Sequence, residues 1–322
     1  MILVTGATGF LGSELVKQLV ERGDKVRALK RFTSKIPELL STASSVEWFE
    51  ADILDYFALE EAFEGIDEVY HCAAFVSFDT RLKKKIRKVN LEGTQHIVNL
   101  SLDKQIRKLV HVSSIAALGD AKEGGQITEK DQWEFTGIQN DYAVSKYQSE
   151  MEVWRGIAEG LNAVIVNPSI IIGKNAGKEG SGKIFETVRK GMKFYTVGSC
   201  GYVDVEDVAK SMILLMNSPI SGERFILNAQ NRSFRDLFSE TAKNFNLPAP
   251  SIKVKPWMMS LASKASAVAS IFTGERIITK YTAHSASVRQ EYANSKIRQA
   301  TGIDFKSLSQ TIAEICSTLK NG

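Results

Sequence analysis

"MILVTGATGFLGSELVKQLVERG" (1–23) decides the fold of this chain. Met1 to Val4 is a short apolar burst that suits a buried strand. Phe10, Leu11, Leu15, Val16, Leu19 and Val20 recur at helical spacing and make one apolar stripe. Gly6, Gly9 and Gly12 stand between the two, so the segment reads as strand, glycine-rich turn, helix. Glycine permits positive φ and a close backbone approach. The first N–H groups of a helix have no partner within it and carry partial positive charge. Together these features make a seat for a diphosphate, formed by Gly6, Thr8, Gly9, Phe10, Leu11 and Gly12. A turn that only tightens strand–helix packing has the same spacing, and the rest of the chain must separate the two.

The 322 residues leave room for one large domain or two modest ones. A net charge of +4 is too mild for a nucleic-acid binder. Cys72, Cys200 and Cys316 are scattered, with neither a metal spacing nor a disulfide framework. A reducing, cytoplasmic setting is expected. The first strand starts at the first residue, so no signal peptide is expected before it. No apolar run reaches the length of a membrane span. The longest candidate, Trp257 to Phe272, is broken by Ser260, Ser263, Lys264 and Ser266.

Outward from the first unit, strand-like runs alternate with helical ones. Strands are expected at 25–31, 46–52, 68–74, 108–114 and 162–172, and helices at 59–65, 84–102 and 141–159. Repeated βα units predict an α/β fold with a parallel, doubly wound sheet. The pattern loosens after Gly173. A glycine- and lysine-rich loop (173–183) precedes a strand and helix at 203–216 and a strand at 224–230. Beyond Asn231 the chain reads as mostly helical, with a proline-containing break at 246–257. The expected division is a dinucleotide-binding domain, 1–173, to which 203–228 returns. A smaller, mostly helical C-terminal substrate-binding cap comprises 174–202 and 229–322.

The end of the second strand faces the adenosine ribose in such folds, where an acidic residue would bond the 2′-hydroxyl. Here it carries Lys30 and Arg31, with Ser34 close behind. Two cations and a hydroxyl suit a 2′-phosphate. NADP(H) is therefore the expected cofactor and NAD(H) the second option. Solvated surface charge is the competing account of the pair. Asp52, with Ile53 beside it, ends the third strand and is a candidate partner for the adenine amino group. A cap for the following turn is its equal alternative.

"NDYAVSKYQSE" (140–150) holds Tyr142 and Lys146, four residues apart and on one face of a helix. A free phenol, with a pKa near ~10, is a poor acid or base at neutral pH. A nearby ammonium stabilises the phenolate and lowers that pKa. The tuned phenol then exchanges a proton with a substrate oxygen. "VHVSSIAALGD" (110–120) ends a strand at Ser113 and Ser114, on the carboxyl edge where open α/β sheets bind ligands. A serine hydroxyl there can hydrogen-bond a carbonyl oxygen.

On these residues the chain resembles the extended short-chain dehydrogenase/reductases, within the NAD-dependent epimerase/dehydratase family, which have a Rossmann fold. The resemblance is carried by "TGATGFLG" (5–12), "ADILD" (51–55), "HCAAFVSF" (71–78), "NLEGT" (90–94), "SSIAALG" (113–119), "YAVSK" (142–146), "NPSIIIG" (167–173), "YVDVEDVA" (202–209) and "YANSKIRQATGIDF" (292–305). It implies Ser114, Tyr142 and Lys146 as the catalytic set, with Ser114 preferred over Ser113 because it lies five residues before Gly119. It implies Ala73, Ala74 and Pro168 along the cofactor, and a homodimer paired through helices 84–102 and 141–159.

Nucleotide-sugar members of the family tend to carry Asn-Val-Tyr-Gly-Pro after the sixth strand, where this chain has "NPSIIIGKN" (167–175). The chain looks more like the dihydroflavonol 4-reductase, 3β-hydroxysteroid dehydrogenase and aldehyde reductase branch. Phe75, Val76, Ser77 and Phe78 would then wall the substrate pocket, with Trp133. The basic run "RLKKKIRK" (81–88) reads as a solvated face, or as a dock for a phosphate-bearing substrate such as a CoA thioester. The stretch 256–272 reads as an amphipathic cap helix, packed on the cap, lining an apolar substrate tunnel or, third, lying on a membrane surface. The function expected is NADP(H)-dependent reduction of a largely apolar ketone or aldehyde to an alcohol, or the reverse. No metal, nucleic acid or membrane span is expected. The rivals are a nucleotide-sugar epimerase or dehydratase using NAD, and a non-catalytic NADP-binding sensor.

Overall fold

The computed structural model describes residues 1–43, 45–77, 79–121, 125–137, 139–177, 180–255, 258 and 286–321. The first unit forms as its sequence dictates. Strand β1 (Ile2–Thr5) is buried throughout, and helix α1 (Phe10–Glu21) lays Leu11, Leu15, Val16 and Leu19 into the core. The chain continues through β2 (Val26–Lys30), β3 (Val46–Glu50), α2 (Tyr56–Ala62) and β4 (Glu68–His71). Next come α3 (Lys83–Arg87), a π-helical turn (Lys88–Glu92), α4 (Gly93–Asp103), β5 (Lys108–Val112), α5 (Asp141–Ala158) and β6 (Ala163–Pro168). Then follow β7 (Ile170–Ile172), α6 (Gly182–Arg189), β8 (Phe194–Tyr195), β9 (Ser199–Asp204), α7 (Val205–Met216), β10 (Glu223–Leu227) and β11 (Gln230–Ser233). The described chain ends with α8 (Phe234–Asn244), β12 (Ile252–Lys253), α9 (Ser295–Thr301) and α10 (Leu308–Asn321).

The main sheet has seven strands in the order β10-β6-β5-β4-β1-β2-β3. Every neighbouring pair in it is parallel. This is the doubly wound Rossmann arrangement, and the order reverses between β1 and β4. Side chains alternate between two apolar layers. Ile2 and Val4 face α1 and α7, while Leu3 joins Val69, Leu109 and Ile165 beneath α2, α4 and α5. A third cluster, with Phe185, Tyr202, Leu237 and Ile312, packs the C-terminal elements together.

Two expected elements differ. The run 162–172 is not one strand: β6 ends at Pro168 and β7 leaves for a three-stranded sheet, β11-β9-β7. Pro168 has no N–H to continue a ladder, and Ser169 turns both its N–H and its hydroxyl onto the Leu227 carbonyl. The helix expected at 84–102 starts at Lys83 and contains the π-helical turn. Beyond Asn231 the described elements are mostly helical, α8, α9 and α10, with the end of β11 and the two-residue β12 as strands. β10 lies beside β6 at the edge of the main sheet, and α7 packs on α1.

The glycine turn is tight for steric reasons. Gly6 has φ +66°, and a Cβ there would meet the Ala73 nitrogen at 2.7 Å. A Cβ on Gly12 would meet the Gly6 oxygen at 2.1 Å. Gly12→Ala is therefore expected to lose about 1–3 kcal/mol in urea unfolding through overpacking. Gly23→Ala has φ +85° but open space around it, and so carries only backbone strain and a smaller loss.

Candidate active site

The site lies along the carboxyl ends of β1, β4 and β5. Gly9 caps α1 with extended backbone and no side-chain acceptor, and the first turn holds no acidic residue. The opening N–H groups of α1 are thus left to a ligand, beside a turn held by the Gly9 N–H on the Gly6 carbonyl at 2.9 Å. Backbone meets backbone at Gly6 and Ala73 with no side chain between. Such an uncapped, glycine-lined helix start fits the diphosphate of a dinucleotide. Thr8, Phe10 and Leu11 complete the turn, and Ala74 follows Ala73 at the surface.

A buried chain of hydrogen bonds runs from this turn to α5. The Ala73 N–H donates to Thr5 Oγ1 at 3.2 Å, and Thr5 Oγ1 meets His71 Nδ1 at 2.8 Å. His71 Nε2 meets Thr94 Oγ1 at 3.0 Å. The Thr94 hydroxyl donates to the Asn90 carbonyl at 2.6 Å, so its oxygen accepts from His71. That places the His71 proton on Nε2 and leaves Nδ1 to accept from Thr5. Asn90 sits in the π-helical turn. Its amide accepts from the Phe75 N–H at 2.7 Å, donates to the Phe75 carbonyl at 3.1 Å and donates to Ser145 Oγ at 2.9 Å. Asn90 therefore clamps the 72–77 loop to α5. Burial lowers the His71 pKa to about 3, with the Lys146 charge adding to the effect. His111 lies against it at 5.1 Å between ring centroids and is lowered for the same reason.

α5 begins at Asn140, whose side chain caps the Ala143 N–H at 2.7 Å. Tyr142 is half-buried in the first turn, and Lys146 is buried one turn later. Lys146 Nζ donates to the Val112 carbonyl at 2.7 Å, which fixes it at the end of β5. Desolvation lowers its pKa to about 8, while Glu150 and Cys72 act in the opposite direction. Ser114 is two residues past Val112. Its oxygen accepts the Ala116 N–H at 3.1 Å, leaving its own proton to donate elsewhere. Ser113 instead donates to Glu150 Oε2 at 2.5 Å and is buried. The structure thus gathers Ser114, Tyr142, Lys146 and the glycine turn at neighbouring strand ends, with Pro168 at the end of β6 beside them.

Other expected residues are differently engaged. Lys30 is bonded to Glu50, its neighbour on β3, so its charge is already matched. Arg31 is exposed and makes no ion pair among the described residues. Asp52 caps its own turn, accepting the Leu54 N–H at 2.9 Å. Ile53 packs over Gly93, where a Cβ would meet it at 2.8 Å, and its carbonyl contacts His96 Nδ1 at 3.1 Å. The Phe75 ring lies under Lys85 Nζ at 4.6 Å, and Ser77 Oγ accepts the Asp79 N–H at 3.2 Å. Trp133 stacks on Tyr147 at 4.3 Å, on a flank of α5 roughly 100° round from Lys146. Phe78 lies outside the described residues, as does the stretch 256–272 apart from Met258. The basic run is partly neutralised: Arg81 pairs with Asp79, and Lys83 with Asp141 at 3.1 Å.

Sequence reading missed Asn90 and Glu150 as working residues. The only trace of Glu150 was its place four residues after Lys146. Asn90 opens the NLEGT segment (90–94), but a π-helical turn leaves no periodicity to read. Among the described residues no group of three His, Cys, Asp or Glu could hold a metal, and no helix is long and apolar enough to cross a membrane.

A parallel sheet with a glycine turn at its switch point and a Tyr/Lys helix over β5 defines a dinucleotide-dependent enzyme class. The chain belongs to the NAD dependent epimerase/dehydratase family, whose profile matches residues 2–228. It is 30% identical over 261 residues to sterol demethylase protein B of Methylococcus capsulatus, covering 80% of this chain and 78% of that one. It is 28% identical to a putative dihydroflavonol 4-reductase of Synechocystis, over 99% of this chain and 94% of the relative. Its fold superposes on the crystal structure of gox2253 with a TM-score of 0.86 at 27% identity, covering 100% of this chain and 98% of that one.

Asn90→Ala should release the 72–77 loop. The exposed Phe75 amide would exchange its hydrogen faster, and urea unfolding should show a loss of about 1–3 kcal/mol from the unpaired buried groups. Unchanged Phe75 exchange would contradict the clamp.

Proposed function

We propose that this chain is an NADP(H)-dependent carbonyl reductase, or alcohol dehydrogenase in reverse, for a largely apolar ketone or aldehyde. The observation that carries this reading is Lys146: buried, tied to Val112 at the end of β5, and one helical turn past Tyr142. The relatives named for a sterol and for a dihydroflavonol support an apolar ring substrate.

The glycine turn and the start of α1 would hold the diphosphate, with Ala73 and Ala74 beside it and Pro168 at the nicotinamide end. A bound dinucleotide supplies hydride to the carbonyl carbon. Ser114 donates a hydrogen bond to the carbonyl oxygen and polarises it. Tyr142 gives the phenolic proton to that oxygen as the alcohol forms. The Lys146 ammonium stabilises the phenolate left behind and would hold the ribose hydroxyls. Arg31 is the cation we assign to a 2′-phosphate, since Lys30 is matched by Glu50. The cap, 174–202 and 229–322, would close over the substrate, with Phe75, Ser77, Phe78 and Trp133 forming the wall. The reading includes a homodimer and a reducing, cytoplasmic setting, with Cys72, Cys200 and Cys316 all free.

A second reading, a phosphate-bearing substrate such as a nucleotide sugar, has one observation in its favour. A cleft of about 460 Å³ is lined by Tyr195, Arg235, Lys253 and Arg289. Those three cations form no ion pair among the described residues, although Asp236 and Glu291 also line the cleft.

The test is NADPH oxidation over a panel of apolar aldehydes and ketones, with UDP-glucose alongside. Tyr142→Phe should lose about 10²–10⁴-fold in kcat, the range of general-acid catalysis. The ammonium is the low-pH form, so reduction should decline as pH rises through about 8. Conversion of UDP-glucose to another sugar nucleotide, followed by chromatography because epimerisation and dehydration consume no NADPH, together with no turnover on the carbonyl panel, would move the assignment to the second reading. Arg31→Ala should raise the KM for NADPH about tenfold, the scale of one charge-assisted hydrogen bond, and leave NADH unchanged. Lys30→Ala should do less. Equal effects on the two cofactors would remove Arg31 from that role.

A further inference from the structure

Tyr142, Lys146 and Glu150 recur every four residues along one face of α5. The Glu150 carboxylate is fully buried and takes four donors. Oε2 accepts from Ser113 Oγ at 2.5 Å and Asn167 Nδ2 at 2.8 Å. Oε1 accepts from Arg224 Nη1 at 3.1 Å and Trp154 Nε1 at 3.3 Å. Three of these donors come from elsewhere in the fold: the ends of β5 and β6, and β10. Asn167 Nδ2 also donates to the Ser114 carbonyl at 3.0 Å. Arg224 reaches on to the Glu129 and Asp131 carbonyls, at 2.9 and 3.1 Å, and so holds the loop that leads to α5.

A buried carboxylate with a buried guanidinium is a poor way to gain stability alone, because desolvation offsets the attraction. None of the proposed proton or hydride steps uses it. We propose that Glu150 is a positioning residue: its carboxylate fixes the Ser113–Ser114 backbone and sets the electrostatic field at the Lys146 ammonium one turn away. Its effect on turnover rests on the reductase reading, whereas its effect on Lys146 does not. Lys146 faces Glu150 on α5, Cys72 after β4, His71 on β4 and His111 on β5. Both histidines are kept neutral by burial. Glu150 is then the anion that opposes the desolvation of Lys146.

Glu150→Gln keeps the size and removes the charge. Its amide would put a donor where donors now converge, so Asn167 must turn and release the Ser114 carbonyl. The experiment follows the Lys146 side-chain resonance through a pH titration of the full-length protein carrying ¹³C-lysine, assigned with Lys146→Arg. NADPH-dependent reduction is measured on the same samples. In Glu150→Gln the Lys146 midpoint should fall by about one pH unit, the size of one close charge interaction. kcat at pH 7 should fall several-fold, about twofold of it from the lost ammonium fraction and the rest from the released Ser113–Ser114 backbone. Glu150→Asp, which keeps the charge, should restore the midpoint. A folded Glu150→Gln with an unmoved midpoint overturns the proposal. Ser113→Ala is the second variant, removing one donor and leaving no unpaired charge; it should lower kcat several-fold, and an unchanged kcat likewise overturns the proposal. A wild type that reduces nothing on the panel while the midpoint still moves defeats the reductase reading and supports the Glu150 assignment.

Discussion

Everything at the site depends on how closely the backbone of the first turn approaches the end of β4. A Cβ at Gly6 would stand 2.7 Å from the Ala73 nitrogen, and one at Gly12 would stand 2.1 Å from the Gly6 oxygen. Only glycine at both positions lets β1, the start of α1 and the 72–77 loop meet without side chains between them. That contact lies where the strand order turns from β2 to β4. It leaves the first N–H groups of α1 pointing out of the sheet edge, with no cap to compete for them.

From there the site is assembled by buried polar chains. One runs from Ala73 through Thr5, His71 and Thr94 to Asn90, and then to Ser145 on α5. The other centres on Glu150 and joins the ends of β5 and β6 to β10 under the same helix. Polar groups this deep are costly unless every partner is present. Each chain therefore holds α5 at one height and one rotation over the sheet. The first sets the loop beside the cofactor seat. The second sets the serines and the lysine. The uncharged histidines between them keep the ground under Lys146 apolar enough to depress its pKa.

Charge at the far end of the seat is arranged differently. Lys30 and Arg31 are adjacent in sequence, yet strand geometry turns Lys30 onto Glu50 across the β2–β3 register and sends Arg31 to solvent. A cation matched by a cross-strand carboxylate has less charge to offer elsewhere than one left in solvent. The same logic reduces the basic run at 81–88, where Asp79 and Asp141 take up two of its charges.

The sequence by itself determined the alternation of strands and helices, the glycine turn, and the shared face of Tyr142 and Lys146. These are local: periodicity, glycine spacing and helical repeat are written in consecutive residues. The break at Pro168 is hidden because apolar runs, 163–166 and 170–172, stand on either side of the Asn-Pro-Ser segment, and only the pairing with Leu227 and Tyr202 separates β6 from β7. Asn90, Glu150 and the matched charge of Lys30 were decided by tertiary structure alone. Each acts through partners 15 to 74 residues away. Which donor a buried carboxylate or amide meets depends on the strand order, and no local spacing encodes that.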